Sequence, residues 1–234
     1  MIAVTFALPA ESSGFLHRLR NKSRSDRNGI IAIQGEIDNR AIEVLHTGVG
    51  EKVCRKRVGR FLQDRQFECL ISAGFAGALN DRLQVGDLLL AQNFSTVELN
   101  EPRSFLSSLP IHIANLLTVP SMIESGTERN RIARTTGAAA VDMETEFIAR
   151  GCAEHGIPLI SLRVITDTPS KPFPAPANVL FDMERQRTKT TDLVVHLVKN
   201  PGTVPRLIAF AKRIARGRRL LTAALEILLR KVEL

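Results

Sequence analysis

The chain has 234 residues, 44% of them apolar and 24% charged, which suits one large globular domain with a real core or a domain plus an appendage. No apolar run approaches the roughly 20 residues of a spanning helix, MIAVTFALP lacks the basic leader of a signal peptide, and the unclustered Cys54, Cys69 and Cys152 offer neither a disulfide framework nor zinc spacing. The net charge of +8 is concentrated in the last 34 residues, where eight Lys and Arg against Glu226 and Glu233 leave +6, so the body is near neutral and a cytoplasmic protein is expected, at most bound to a membrane surface.

In chain order, an apolar strand over 2–7 leads into a helix over 11–20. Strands over 29–34 and 41–47 read as an antiparallel pair that turns at Asp38-Asn39. A helix over 51–63 follows, then strands over 68–72, 87–91 and 113–119. Helices over 127–136 and 143–155 flank the acidic stretch AVDMETEF, and a continuous apolar strand covers 158–165. DTPSKPFPAPAN, residues 167–178, holds four prolines and must be an irregular loop. A helix is expected over 182–199. From Pro201 the pattern becomes long basic helices broken near Gly217. Strands alternating with helices indicate an α/β domain around a buried sheet, here residues 1–200, with 201–234 as a basic amphipathic helical tail.

In α/β proteins ligands gather where loops leave the carboxyl ends of strands. Four such exits carry distinctive residues. Glu11 opens a helix after the first strand. SAGFAGAL, residues 72–79, reads as a small-residue turn. HTGVG, residues 46–50, opens the helix at Glu51, so that Gly48 and Gly50 bare backbone N–H groups for a turn or an anion. Asp167 lies just beyond the last apolar strand. Each has a structural explanation when taken singly: glycines serve turns, Asp caps loops, and an acid at a helix start complements the dipole. Four at strand exits together point to a site.

AVDMETEFIARGCAEHGIPLISLRVITDTPS resembles the C-terminal signature of the nucleoside phosphorylase/nucleosidase superfamily, and most closely its methylthioadenosine/S-adenosylhomocysteine nucleosidase branch. ISAGFAGALNDRLQVGDLLL, MIAVTFALPAES and HTGVGEKVC resemble further segments of that branch in consistent order, over roughly residues 1–200. The resemblance implies a three-layer α/β fold whose mixed sheet curls toward a partial barrel, and cleavage of the N-ribosidic bond of an adenine-type nucleoside. It implies that Met143 packs under the ribose while Glu144 accepts hydrogen bonds from its 2′ and 3′ hydroxyls, two donors that offset burial of the carboxylate. Asp142 and Glu146 are expected to be solvated or capping. Asp167 is the implied general acid at purine N7, a task that needs a raised pKa, and Glu11 the group that orients or deprotonates a water. The 72–79 segment, with Gly74, Phe75, Ala76 and Gly77, would bring backbone N–H groups to the sugar and the nucleophile. Met122 and Ile123 are the candidates to flank the base.

Phe75 stands where the nucleosidases carry Ser, and the Gly-Asp-Pro-x-x-Arg phosphate loop of hexameric phosphorylases is absent. The acceptor stays open between water and phosphate as co-substrate, for which Ser12, Ser13, His46 and Arg55 offer an anion site. No metal or organic cofactor is expected, because His17, His46, His112, His155 and His196 form no ligand cluster. In the tail, Leu221, Leu225, Leu228 and Val232 form a helical stripe beside a cluster of Lys212, Arg213, Arg216, Arg218 and Arg219. It reads either as a helix packed on the domain or a partner subunit, or as an element lying on an anionic membrane. The membrane reading resembles the hopanoid-associated phosphorylases and implies a lipid-linked substrate. Without Trp or Tyr and with no recognition module, nucleic acid is not an expected partner. Relatives are oligomers, so a homo-oligomer is expected.

Overall fold

The computed structural model describes residues 1–174, 181–182, 187–188 and 200–231. Strand β1 (Ile2–Phe6) lies between parallel partners β4 (Arg40–His46) and β5 (Cys69–Ala78), and β5 in turn pairs in parallel with β10 (Leu159–Asp167). Strands covered on both faces read as continuous apolar runs, which is why IAVTF and LISLRVITD are buried along their lengths. Outside this parallel centre, β2 (Arg20–Arg27) and β3 (Ile30–Ile37) form an antiparallel meander with β4. The expected turn is present, with Asp38 and Asn39 at φ 48° and 64°, the left-handed pair of a tight hairpin. Strand β2 is an edge of charged and polar residues, RNKSRSDR, and no apolar alternation announces it.

On the other side, β10 pairs antiparallel with β6 (Leu88–Ala91), and β6 pairs in parallel with β7 (Ile111–Ala114). The strand expected over 113–119 is two. Asn115 separates β7 from β8 (Leu116–Thr118), and the Asn93 carboxamide both donates to and accepts from the backbone of Leu116. Strand β8 pairs with β9 (Ala140–Asp142), which returns to the far end of β5. The pairings thus close a ring through β5, β10, β6, β7–β8 and β9. Its interior holds Ala76, Ala78, Ala91, Ala140, Leu89, Leu116 and Ile165; small side chains suit so narrow a barrel.

Two helical layers cover the sheet. Helices α2 (Glu51–Leu62) and α5 (Thr145–Glu154) pack on the face carrying Ala3, Leu45, Leu70 and Leu159. The opposite face, with Val4, Phe6, Ile71, Leu162 and Val164, meets α1 (Pro9–Leu16) and α6 (Val204–Lys231). Between these lie α3 (Asn100–Phe105), too short to show a period, and α4 (Gly126–Thr136). The break expected near Gly217 does not occur. Helix α6 runs unbroken through Gly217, which is buried against Val164, where an added Cβ would stand at an ordinary contact distance of 3.5 Å. Leu221, Ala224, Leu225, Leu228 and Leu229 join the principal core cluster, so this half of α6 is a wall of the domain. Of the helix expected over 182–199, the described residues are extended: Arg187–Thr188 (β12) pairs with Phe181–Asp182 (β11). The remainder lies outside the described residues.

Candidate active site

The carboxyl ends of β1, β4, β5 and β10 converge, and every strand-exit motif except one is a loop or helix start there. The exception is SAGFAGAL, which is the second half of β5 and not a turn. Its glycines make room. A Cβ at Gly74 would lie 3.3 Å from Glu11 Oε1, and one at Gly77 would lie 2.9 Å from Asp167 Oδ2. Two carboxylates therefore lean on the strand where it has no side chain.

Glu11 is held by two backbone donors. Leu8 N–H donates to Oε2 at 3.0 Å and Phe75 N–H to Oε1 at 3.0 Å. Burial pushes its pKa up, against the opposing pull of these two N–H groups and of Arg163. The Phe75 amide, expected to face the sugar, is thus spent on Glu11.

Met143 and Glu144 sit in the short link between β9 and α5. Glu144 Oε1 accepts from Gly50 N–H at 3.0 Å, at the start of α2, while Gly48 N–H ties the β4 exit to Ala7 O at 3.0 Å. Burial, then the charges of Asp142 and Glu11, push the Glu144 pKa up to about 8. Asp142 is not solvated. It is buried, caps α5 by accepting from Thr145 N–H, accepts from Thr118 Oγ1 at 2.9 Å, and pairs with Arg163 at 3.0 Å. Arg163 also holds Ser72, so the link carrying Glu144 is anchored to β5 and β10 from below. Glu146, by contrast, pairs with Arg150 at the surface.

Asp167 ends β10 after a register shift that follows Ile165. It is buried with Arg129 of α4, whose Nη2 donates to Oδ2 at 2.5 Å, and Thr166 Oγ1 donates to Oδ1 at 3.1 Å. Burial pushes the Asp167 pKa up, and Arg129 opposes it. Nothing in the sequence singles out Arg129, one of three arginines in α4. Arg163 stood inside the signature stretch, but its partners at 72, 142 and 145 are visible only once β5, β9 and β10 are side by side.

A cavity of about 170 Å³ lies among these groups, bordered by Leu8, Phe75, Met122, Ile123, Met143 and Phe173, with Glu11, Asp142, Glu144, Asp167 and Arg129 as its charged groups. Ala76 and Gly77 border it too, while Gly74 borders a second cavity of about 10 Å³ enclosed by Glu11, Ser72, Glu144 and Arg163. That is room for one water. The alternative anion set does not converge. Ser12 Oγ bonds His46 Nε2 at 2.7 Å, Ser13 accepts from Arg218, and Arg55 pairs with Glu51 in solvent. Helix α6 supports the main cavity from outside: Phe210 packs on Phe173 with ring centroids 4.9 Å apart, and Arg213 donates to Lys171 O. Among the described residues no His, Cys, Asp and Glu cluster is arranged to hold a metal ion.

Residues 98–199 match the family model of the phosphorylase superfamily. Over that stretch the chain is similar to that superfamily. Among superfamily proteins, a 5′-methylthioadenosine/S-adenosylhomocysteine nucleosidase of Bacillus pumilus is 22% identical over 230 residues, covering 85% of this chain and 98% of that one. A nucleosidase of the same name from Staphylococcus aureus is 21% identical, covering 71% and 86%. In three dimensions the chain is similar to the MTA/SAH nucleosidase of Streptococcus pneumoniae in complex with 8-aminoadenine, at TM-score 0.72 and 17% identity over 99% of both chains. Its likeness to the futalosine hydrolase of Helicobacter pylori has TM-score 0.72 and 15% identity, over 99% of this chain and 97% of that one. The superfamily fold, a mixed sheet flanked by helices, is the one described above.

Proposed function

We propose that this chain is a nucleosidase that cleaves the N-ribosidic bond of an adenine-type purine nucleoside. One observation carries the proposal: four buried carboxylates, Glu11, Asp142, Glu144 and Asp167, border a single cavity, and two of them, Glu11 and Glu144, also line a one-water cavity. In this reading Asp167, whose pKa is raised by burial, gives a proton to purine N7 as the C1′–N9 bond breaks. Glu144 accepts hydrogen bonds from the 2′ and 3′ hydroxyls, with Met143 beneath the ring. Glu11 takes a proton from the water that attacks C1′ on the face away from the base, the arrangement of acid and base found in inverting glycosidases. Arg163 fixes Glu144 through Asp142 and adds positive charge near Glu11.

The small cavity favours water over phosphate as acceptor, since a tetrahedral anion needs several times its volume. Release of adenine from methylthioadenosine at equal rates with and without phosphate, with free methylthioribose as co-product, is the expected result. Phosphate dependence would make the chain a glycosyltransferase, that is a phosphorylase. Tight binding of the nucleoside with no release would favour the rival, a nucleoside-binding protein that has lost the chemistry.

A second, finer element concerns the tail. Val204 and Ile208 are 39% and 53% exposed on α6, beside exposed Arg206, Lys212, Arg216 and Arg219. This supports peripheral contact with an anionic membrane and a lipid-linked, hopanoid-type 5′ substituent; no described helix is long and apolar enough to cross a bilayer. Co-sedimentation with phosphatidylglycerol vesicles, lost in Ile208→Glu, tests it. A homo-oligomer belongs to the same proposal and is checked by analytical ultracentrifugation.

A further inference from the structure

Three hydroxyls form a buried row across the parallel centre of the sheet. Thr5 of β1 is in register with Ser72 of β5, and Ser72 with Ser161 of β10. Ser72 Oγ accepts from Arg163 Nη2 at 2.8 Å. Thr5 Oγ1 and Ser161 Oγ, on either side of it, meet no hydrogen-bond partner among the described residues. A buried hydroxyl left unmet costs stability, so each of the two calls for an explanation.

Their surroundings differ. Side chains alternate along a strand, so Thr5 shares a face with Ala3, which packs with α2 and α5, while Val4 and Phe6 point to the other layer. On the Thr5 face lies the cavity of about 10 Å³, bordered by Thr5, Glu11, Ser72, Glu144, Arg163 and Ile148 of α5. The space takes one water, and these side chains supply the polar neighbours that a buried water needs. Ser161 borders neither this cavity nor the main one. Of the two unmet hydroxyls, only that of Thr5 stands beside a place for water.

We infer that Thr5 is a positioning residue, whose hydroxyl holds the attacking water against Glu11. The inference rests on the hydrolytic reading of the site. Glu11 receives a backbone N–H on each oxygen, from Leu8 and Phe75, which fixes the carboxylate and leaves the water as the part still to be oriented. A threonine hydroxyl can donate to one lone pair of that water. The water then turns one proton to Glu11 and its second lone pair to C1′. As the O–C1′ bond forms, that proton passes to Glu11, the C1′–N9 electron pair leaves with the purine, and N7 takes the Asp167 proton. Thr5 keeps its own proton. Holding a reacting water in line removes part of the entropic barrier, which places the effect in kcat and not in KM.

The experiment measures kcat and KM for phosphate-free release of adenine from methylthioadenosine by the wild type, Thr5→Val, Thr5→Ser and Ser161→Ala. Thr5→Val keeps the shape of the side chain and removes the hydroxyl. Its kcat should fall about 10- to 100-fold, with KM within about threefold of the wild type. Thr5→Ser should recover most of the loss, and Ser161→Ala should match the wild type. A hydroxyl with no water on it gives the opposite pattern: wild-type kcat in Thr5→Val, with a melting temperature raised by removal of an unmet polar group. That pattern, or a loss that Thr5→Ser leaves in place, overturns the inference while the nucleosidase reading stands. If Thr5→Val does not fold, a crystal structure of the wild type decides. A water about 3 Å from both Thr5 Oγ1 and a Glu11 oxygen is expected, and a small cavity without one overturns the inference. A wild type that releases adenine only with phosphate, or not at all, overturns the hydrolytic reading and this inference with it.

Discussion

Gly77 lies directly against Asp167: a methyl group added at Gly77 would stand 2.9 Å from Oδ2 and 3.3 Å from Nη1 of Arg129. The acid can lean on β5 only because the strand has no side chain there. Gly77→Ala should therefore push Asp167 and Arg129 out of place, with kcat falling ~10- to 100-fold, because small misplacements of a reacting group are expensive. Alanine is compatible with the extended backbone, so the melting temperature should change little. Steady-state kinetics beside a thermal melt checks both.

Asp167→Asn keeps an oxygen for Arg129 but has no proton to give. Turnover should drop by ~10²–10⁴, the usual worth of general acid catalysis, while the circular dichroism spectrum is retained. Substantial activity in the folded variant would remove Asp167 from the acid's role. Because burial raises the Asp167 pKa, wild-type kcat should fall on the alkaline side as the carboxyl ionises.

Glu144 makes stability depend on pH with a definite sign. Its folded pKa of about 8 stands above the ordinary 4.5, so the folded state favours the protonated form. The associated stability is fully present below pH 4.5 and is lost as pH rises toward 8, at ~1.4 kcal/mol per pH unit at most. Glu144→Gln cannot ionise. Its melting temperature should exceed that of the wild type at pH 8 and the difference should vanish near pH 4.5, while its KM for nucleoside rises. Parallel melts from pH 4.5 to 8.5 decide.

Helix α6 serves the fold with one half and the cavity with the other. Leu225→Ala empties a fully buried position and should cost ~2–5 kcal/mol with normal kinetics below the melting point. Phe210→Ala removes the ring packed on Phe173, a contact worth ~0.5–1.5 kcal/mol. It should raise KM several-fold with little loss of kcat or stability. Equal destabilisation by the two would place Phe210 in the core instead.

The amino-acid sequence by itself determined the elements whose signals are local. Continuous apolar runs marked β1, the first half of β5 and β10; Asp38-Asn39 marked the hairpin; and the signature around Met143, Glu144 and Asp167 marked the wall of the cavity. These depend on side-chain period, turn chemistry and short spacings, which a linear reading contains. The tertiary structure alone decided that SAGFAGAL is a strand, that Gly217 lies inside a continuous helix, and that Asp142 is buried. It alone joined Arg129 to Asp167 across 38 residues and Arg163 to Asp142 across 21. The physical reason is the same in each case. A glycine that makes room for a neighbour looks like a glycine that turns, and a charge that will be buried looks like one that will be solvated. The difference lies in the partner, and only packing brings the partner near.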